Sequence, residues 1–112
     1  MEHYPEDGHL WVQLGLVSFK MRRFERAAEA LDAALNRPMS RHTRSVAWLF
    51  LARVRDLQGR RVEAGVLYEY ALKEAEEPRL VAALEAGRDR PYRAREVSKV
   101  DLLLQFPDAL QY

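Results

Sequence analysis

Trp11 and Trp48 stand 37 residues apart, and each opens the same spaced pattern. After Trp11 come Leu14, Gly15, Ala27, Leu31 and Ala34. After Trp48, at the same spacings, come Leu51, Ala52, Ala64, Tyr68 and Ala71. Residues 11–35 laid on 48–72 give seven identical pairs, where composition alone gives roughly two. Self-similarity at a fixed period of this length marks a repeat architecture, in which each supersecondary unit buries its apolar face against the next. A chain of 112 residues has room for one domain holding two such units.

Within the units the apolar residues recur at helical spacing. Asp7 or Gly8 caps a first helix running to about Met21, with Leu10, Trp11, Leu14, Val17 and Phe19. A second, Phe24 to Asn36, carries Phe24, Ala27, Ala28, Leu31, Ala34 and Leu35, and Pro38 stops it. Ser40 or Thr43 caps a third helix through Gln58, and Gly59 supplies the tight turn to a fourth over Arg61–Ala75. A fifth, Arg79 to Ala86, ends at Gly87 and covers the open end of the second unit, as capping helices do in repeat arrays. The tail from Glu96 to Tyr112 fits both a strand alternation and a helical spacing, and a short helix is expected.

The small residues explain how the hairpins close. Two helices approach to about 8 Å only where small side chains meet at the crossing. Gly15 faces Ala27 in the first unit and Ala52 faces Ala64 in the second, while Ala34 and Ala71 face the next helix in the stack. Trp11, Leu14 and Leu31, then Trp48, Leu51 and Tyr68, fill the space beside those contacts.

The sequence Trp-x2-Leu-Gly/Ala, then Ala-x3-large, then Ala, resembles the tetratricopeptide repeat, a helix–turn–helix unit of about 34 residues. The resemblance covers about residues 9–78, and the three extra residues per period fall in the Arg37–Thr43 connection. It departs where the family has aromatics: Ser18 and Arg55 stand seven residues after each Trp, and Arg61 stands in the second turn. It implies an all-α fold of antiparallel helix-turn-helix repeats, a solenoid fragment with a C-terminal capping helix and tail. The units are then about 8–37 and 43–77, with the cap and tail over 79–112, in one domain spanning 1–112.

The resemblance also implies a concave surface lined by the first helix of each unit. Its positions correspond here to Val12, Gln13, Leu16 and Phe19, and to Leu49, Phe50, Arg53 and Asp56. Family members that grip a carboxylate present Lys and Asn at the first and third of these positions. Val12 and Leu16 occupy them here, so that activity is not carried over. What is expected instead is an apolar groove with Arg53 and Asp56 at one end, which binds a protein or peptide partner or a second copy of the chain. The competing expectation is that the tail Leu102–Phe106 folds back and fills it.

Little else in the chain points to chemistry. His3, His9 and His42 have no second histidine one helical turn away, so no metal ligand set is read, and none of the glycines forms a phosphate loop. The serines sit in no nucleophile-elbow context. No catalytic residue and no cofactor is expected. The absence of cysteine excludes disulfides and thiolate sites. The longest apolar stretch, Val46 to Ala52, has seven residues, too few for a membrane span. The N-terminus does not read as a secretory signal, and a cytoplasmic, bacterial adaptor is expected. Fifteen of the 18 basic residues are arginine, in clusters over 37–61 and 88–95. An RNA-binding helical-repeat protein is therefore the alternative. Interspersed acids and a formal net charge of +1 argue against nucleic acid.

If the 37-residue register is right, Ala64 sits in a crowded helix crossing. Ala64→Leu is then expected to overpack it and lower stability by roughly 1–3 kcal/mol in urea denaturation. An unchanged midpoint would remove the register.

Overall fold

The computed structural model describes residues 8–99. They form α1 (Gly8–Lys20), α2 (Phe24–Leu35), α3 (Arg41–Leu57), α4 (Arg61–Glu74) and α5 (Pro78–Asp89), followed by a 3-10 helix, Ala94–Lys99. Among the described residues there is no strand. α1 packs on α2 and α3 on α4 as two hairpins, α2 joins the hairpins through α3, and α5 closes on α4. α3 also touches α1 and α5, so it is the one helix in contact with all the others.

Each helix start has a local cause. The Ser40 hydroxyl accepts the Thr43 amide at 3.1 Å, which satisfies one of the orphan donors at the head of α3. Glu77 does the same for Leu80 at 2.8 Å, and Pro78 follows at the position where a missing N–H costs nothing. The Gly8 amide donates to the Pro38 carbonyl at 2.9 Å, tying the head of α1 to the connection between the units.

The turns within the two hairpins are the same turn. In the first, Arg22 has φ +62, Arg22 N–H donates to Phe19, and Arg23 N–H donates to Ser18. In the second, Gly59 has φ +78, Gly59 N–H donates to Asp56, and Arg60 N–H donates to Arg55. Every position is shifted by the 37 residues that separate the tryptophans. Both are Schellman motifs, in which a residue in the left-handed region turns two orphan carbonyls back on the chain.

The small residues sit where contact is close. A side chain at Gly15 would begin 2.7 Å from Leu31 Cδ2, and Ala27, Ala34, Ala52, Ala64 and Ala71 are all fully buried. Leu31, Leu51 and Tyr68 are buried with them, and Trp11 and Trp48 are half-buried against the core.

Three expectations change. Leu14 is not a packing residue: it lies 46% exposed on the outer face of α1. Gly87 does not stop α5 but lies inside it, because without a side chain it lets the Tyr68 ring pack against the helix backbone. The segment after α5 begins its short helix at Ala94 as a 3-10 turn, and the expectations for Val100 onward, including a tail filling the groove, lie outside the described residues.

Glycine adopts the left-handed region without strain, whereas an L-residue there costs roughly 1–2 kcal/mol. Gly59→Ala is therefore expected to destabilise by about 1 kcal/mol, since open space surrounds the site and only the backbone objects. Arg22→Gly is expected to stabilise, by somewhat less because Arg22 also donates to the Ala94 carbonyl at 3.3 Å. Urea midpoints check both, and a loss of stability in Arg22→Gly would show that this side-chain contact outweighs the backbone strain.

Candidate functional site

The residues expected to line an open groove are inside the molecule. Val12, Leu16 and Phe19 on α1 and Leu49 and Phe50 on α3 are buried, and all five belong to the single hydrophobic core. The physical reason lies beyond α5. There the chain turns back, bringing Tyr92 and Val97 into that core, both buried. Phe19 stands edge-on to Phe50 at 5.2 Å and to Phe24 at 5.8 Å, and the Tyr92 ring packs on Phe19 at 6.0 Å. Gln13 stays half-exposed, so the surface expected from these eight residues is closed over most of its length.

Asp56, expected at the groove's end, holds the structure together. Its side chain has no solvent exposure. Its carboxylate accepts from Arg61 Nη1 at 3.0 and 3.1 Å, from the Tyr68 hydroxyl at 2.9 Å and from the Tyr92 amide at 3.0 Å. Burial and the Asp56 charge hold the Tyr68 phenol well above its ordinary range, so it remains a donor. Arg61 Nη2 continues to the Arg88 carbonyl at 2.6 Å, tying the end of α5 into the same network.

Arg53 lies one turn earlier on α3 and is treated differently. It is 7% exposed, yet among the described residues no carboxylate lies within ion-pair distance. Its guanidinium sits over the Phe50 ring at 5.0 Å and the Tyr92 ring at 4.5 Å, and its buried Nη1 has no hydrogen-bond partner among the described residues. Burial lowers its pKa, although an arginine stays protonated.

Most of the other arginines in the first cluster are occupied. Arg37 donates to the Ala33 carbonyl and covers the Trp11 ring at 4.7 Å. Arg41 meets Glu76, Arg55 lies between Asp32 and Glu63, and Arg60 also reaches Glu63. Among the described residues no group of three or more acidic or histidine side chains is placed to hold a metal, and no helix is long and apolar enough to cross a membrane.

Away from the expected groove, the outside of α1 carries an apolar stripe. Leu10, Leu14, Val17 and Met21 are 44%, 46%, 55% and 56% exposed and recur at helical spacing along one line. A shift of 37 carries the first three onto Ala47, Leu51 and Val54 of α3, all buried in the stack. The repeat alignment contained this signal: a surface that one unit buries is bare on the other. Compared with models of known families, with characterised proteins and with solved structures, the chain matches none.

Removing a carboxylate that satisfies buried donors and a cation typically costs about 3–5 kcal/mol, and Arg61 is partly exposed, so Asp56→Ala is expected near the lower end. Denaturation measures the loss. Because Asp56 anchors Tyr92, limited trypsin digestion is expected to show faster cleavage after Arg93 in this variant. Unchanged cleavage would mean that the returning segment is held by its apolar contacts alone.

Proposed function

We propose that this chain is a protein–protein interaction module, an adaptor of two tetratricopeptide-like units whose binding surface is the outer face of α1. The observation that carries the reading is the stripe of Leu10, Leu14, Val17 and Met21. At the first three of these positions apolar residues serve burial on α3 and lie exposed on α1. A contiguous exposed apolar patch of this kind marks a contact surface more often than chance. Its shape, a single helix ridge of branched and flexible side chains, suits the groove of a second helical hairpin. Full burial of each such side chain is worth roughly 1.5–3 kcal/mol, so completing the burial of four half-exposed ones contributes about 3–6 kcal/mol toward association. A second copy of the chain is the first candidate, and an apolar helix of another protein is the other. The cytoplasmic, bacterial setting expected from the sequence remains part of this proposal.

The test is a double substitution on the stripe, Leu14→Lys with Val17→Lys, compared with the unmodified chain by sedimentation at concentrations on the order of 100 μM. Both residues are already half-exposed, so the variant is expected to keep its melting temperature. A dimer that becomes a 13.1 kDa monomer in the variant supports self-association. A monomeric chain that captures a helical partner, with capture lost in the variant, supports the other form. Absence of both self-association and variant-sensitive capture would overturn the reading.

A further inference from the structure

Arg53 and Tyr92 lie against a cleft that none of the preceding argument uses. It measures about 560 Å³ and is walled by Arg53 from α3, by Ala83, Ala86 and Gly87 from α5, and by the returning segment from Arg90 to Glu96. Two of the residues that line it each carry a buried donor with no acceptor among the described residues. One is Arg53 Nη1, on a side chain more than nine-tenths buried, and the other is the Tyr92 hydroxyl. Burial raises the Tyr92 pKa, which keeps that hydroxyl protonated and able to donate.

A cation taken out of water without a counter-ion costs several kcal/mol. Two aromatic faces return roughly 0.5–2 kcal/mol each, which offsets only part of this. Arg61, eight residues further along the chain at the head of α4, shows the alternative, since its charge meets Asp56 at 3.0 Å. Among the described residues Arg53 has no anion within ion-pair distance, Glu96 acting on it only from further off, and the cleft is where one fits.

The charges around the cleft define the kind of anion. Arg53, Arg90 and Arg93 line it against one carboxylate, Glu96, an excess of two positive charges even with Arg95 left out of account. Glu96 accepts the Arg93 amide at 3.0 Å, so it serves the backbone of the returning segment. The carbonyl end of α5 also faces this region and opposes an anion. Two of its carbonyls are already engaged, Ala86 by the Arg90 amide and Arg88 by Arg61. Guanidinium forks from separate chain segments match the oxygens of a phosphate, which carries close to two charges at neutral pH. The volume is within the range of small-molecule sites and exceeds what one phosphate needs, and Ala83, Ala86 and Tyr92 offer apolar wall to an attached organic group.

We infer that this cleft binds a doubly charged phosphoryl oxyanion, with Arg53 as its deep contact and Arg90 and Arg93 at its rim. The site is separate from the α1 stripe, and neither proposal rests on the other.

The test is calorimetric titration of the full chain with inorganic phosphate, phenyl phosphate and acetate in low-salt buffer. Phosphate is expected to bind, acetate at least about tenfold more weakly. Arg53→Gln is expected to lower phosphate affinity by roughly tenfold or more, and Arg90→Ala or Arg93→Ala by severalfold. Phenyl phosphate binding tighter than phosphate identifies a phosphomonoester as the ligand class, and equal binding identifies free phosphate. Should Arg53→Gln fail to fold, the two exposed rim variants and the shift of the Arg53 side-chain Nε resonance on phosphate addition decide the matter. No heat and no resonance shift at about 10 mM phosphate would overturn the inference. So would equal binding of acetate, or affinity unchanged in the Arg53 variant or, failing that, in both rim variants.

Discussion

A carboxylate with no exposure to water has to find its hydrogen-bond partners inside the protein, and the partners of Asp56 decide where the chain runs after its fifth helix. Arg61 and Tyr68 come from α4, Tyr92 from the segment beyond α5, and Arg61 extends the network to the end of α5 itself. One side chain on α3 therefore fixes the second hairpin, the capping helix and the return of the chain. The network also sets the aromatic core. With its amide on Asp56, Tyr92 lays its ring beside Phe19, which stacks edge-on with Phe50. Apolar burial supplies the driving force, but a non-directional force does not choose among ways of crossing a helix bundle, whereas a set of directed bonds to one buried charge does.

The parts of this fold that were legible in the sequence are those set by short-range rules. Hairpin turns, helix caps and the small residues at crossings depend on neighbours within about a turn, and the 37-residue period repeats them down to the hydrogen bonds of Ser18 with Arg23 and of Arg55 with Arg60. The cap at Ser40 and the stop after Leu35 were readable for the same reason. The groove was not. Val12, Leu16, Phe19, Leu49 and Phe50 carry a correct signal, apolar residues on an inner face, but helical spacing does not say what covers that face. Here Tyr92 and Val97 share in covering it, brought from far along the chain by an interaction with Asp56 that no periodicity reveals. Leu14 misled in the opposite sense. Its equivalent, Leu51, is buried because a neighbouring unit covers it, and the same residue type on α1 has no such neighbour among the described residues.

α4 shows the same ambiguity on a smaller scale. Ala64, Tyr68 and Ala71 face inward and are fully buried, while Val62, Val66 and Tyr70 form a second apolar line that is 82%, 47% and 50% exposed. A helix apolar on two faces usually lies between two others. In this molecule its outer line is bordered by Arg61, Glu69, Lys73 and Arg88, and the Trp48 ring leans on Tyr70 at 5.9 Å. Charged neighbours border this line closely, whereas on α1 Leu10, Leu14 and Val17, with Met21 just past the helix end, follow one another at helical spacing. Size and continuity separate the two surfaces more than hydrophobicity does.

Arg53 and Asp56 are one turn apart on α3 and experience the same loss of water, yet only the acid is fully paired. The difference follows from what each partner must be. A buried carboxylate is satisfied by groups any helical protein has in abundance, amides, hydroxyls and arginine, and Asp56 uses all three. A buried guanidinium needs acceptors, and the carbonyls of neighbouring helices are already committed to their own ladders. The acids nearest in sequence are likewise engaged: Asp32 and Glu63 by Arg55, and Asp56 by Arg61. α3 therefore presents an arginine held over two aromatic rings, in the wall of a cleft of about 560 Å³. A fold stabilised by its own pairs leaves a cation unpaired only at a cost, and Arg53→Met at this position would pack as well without that cost. A charge there, beside a cleft with further arginines at its rim, is what the proposed anion site would use.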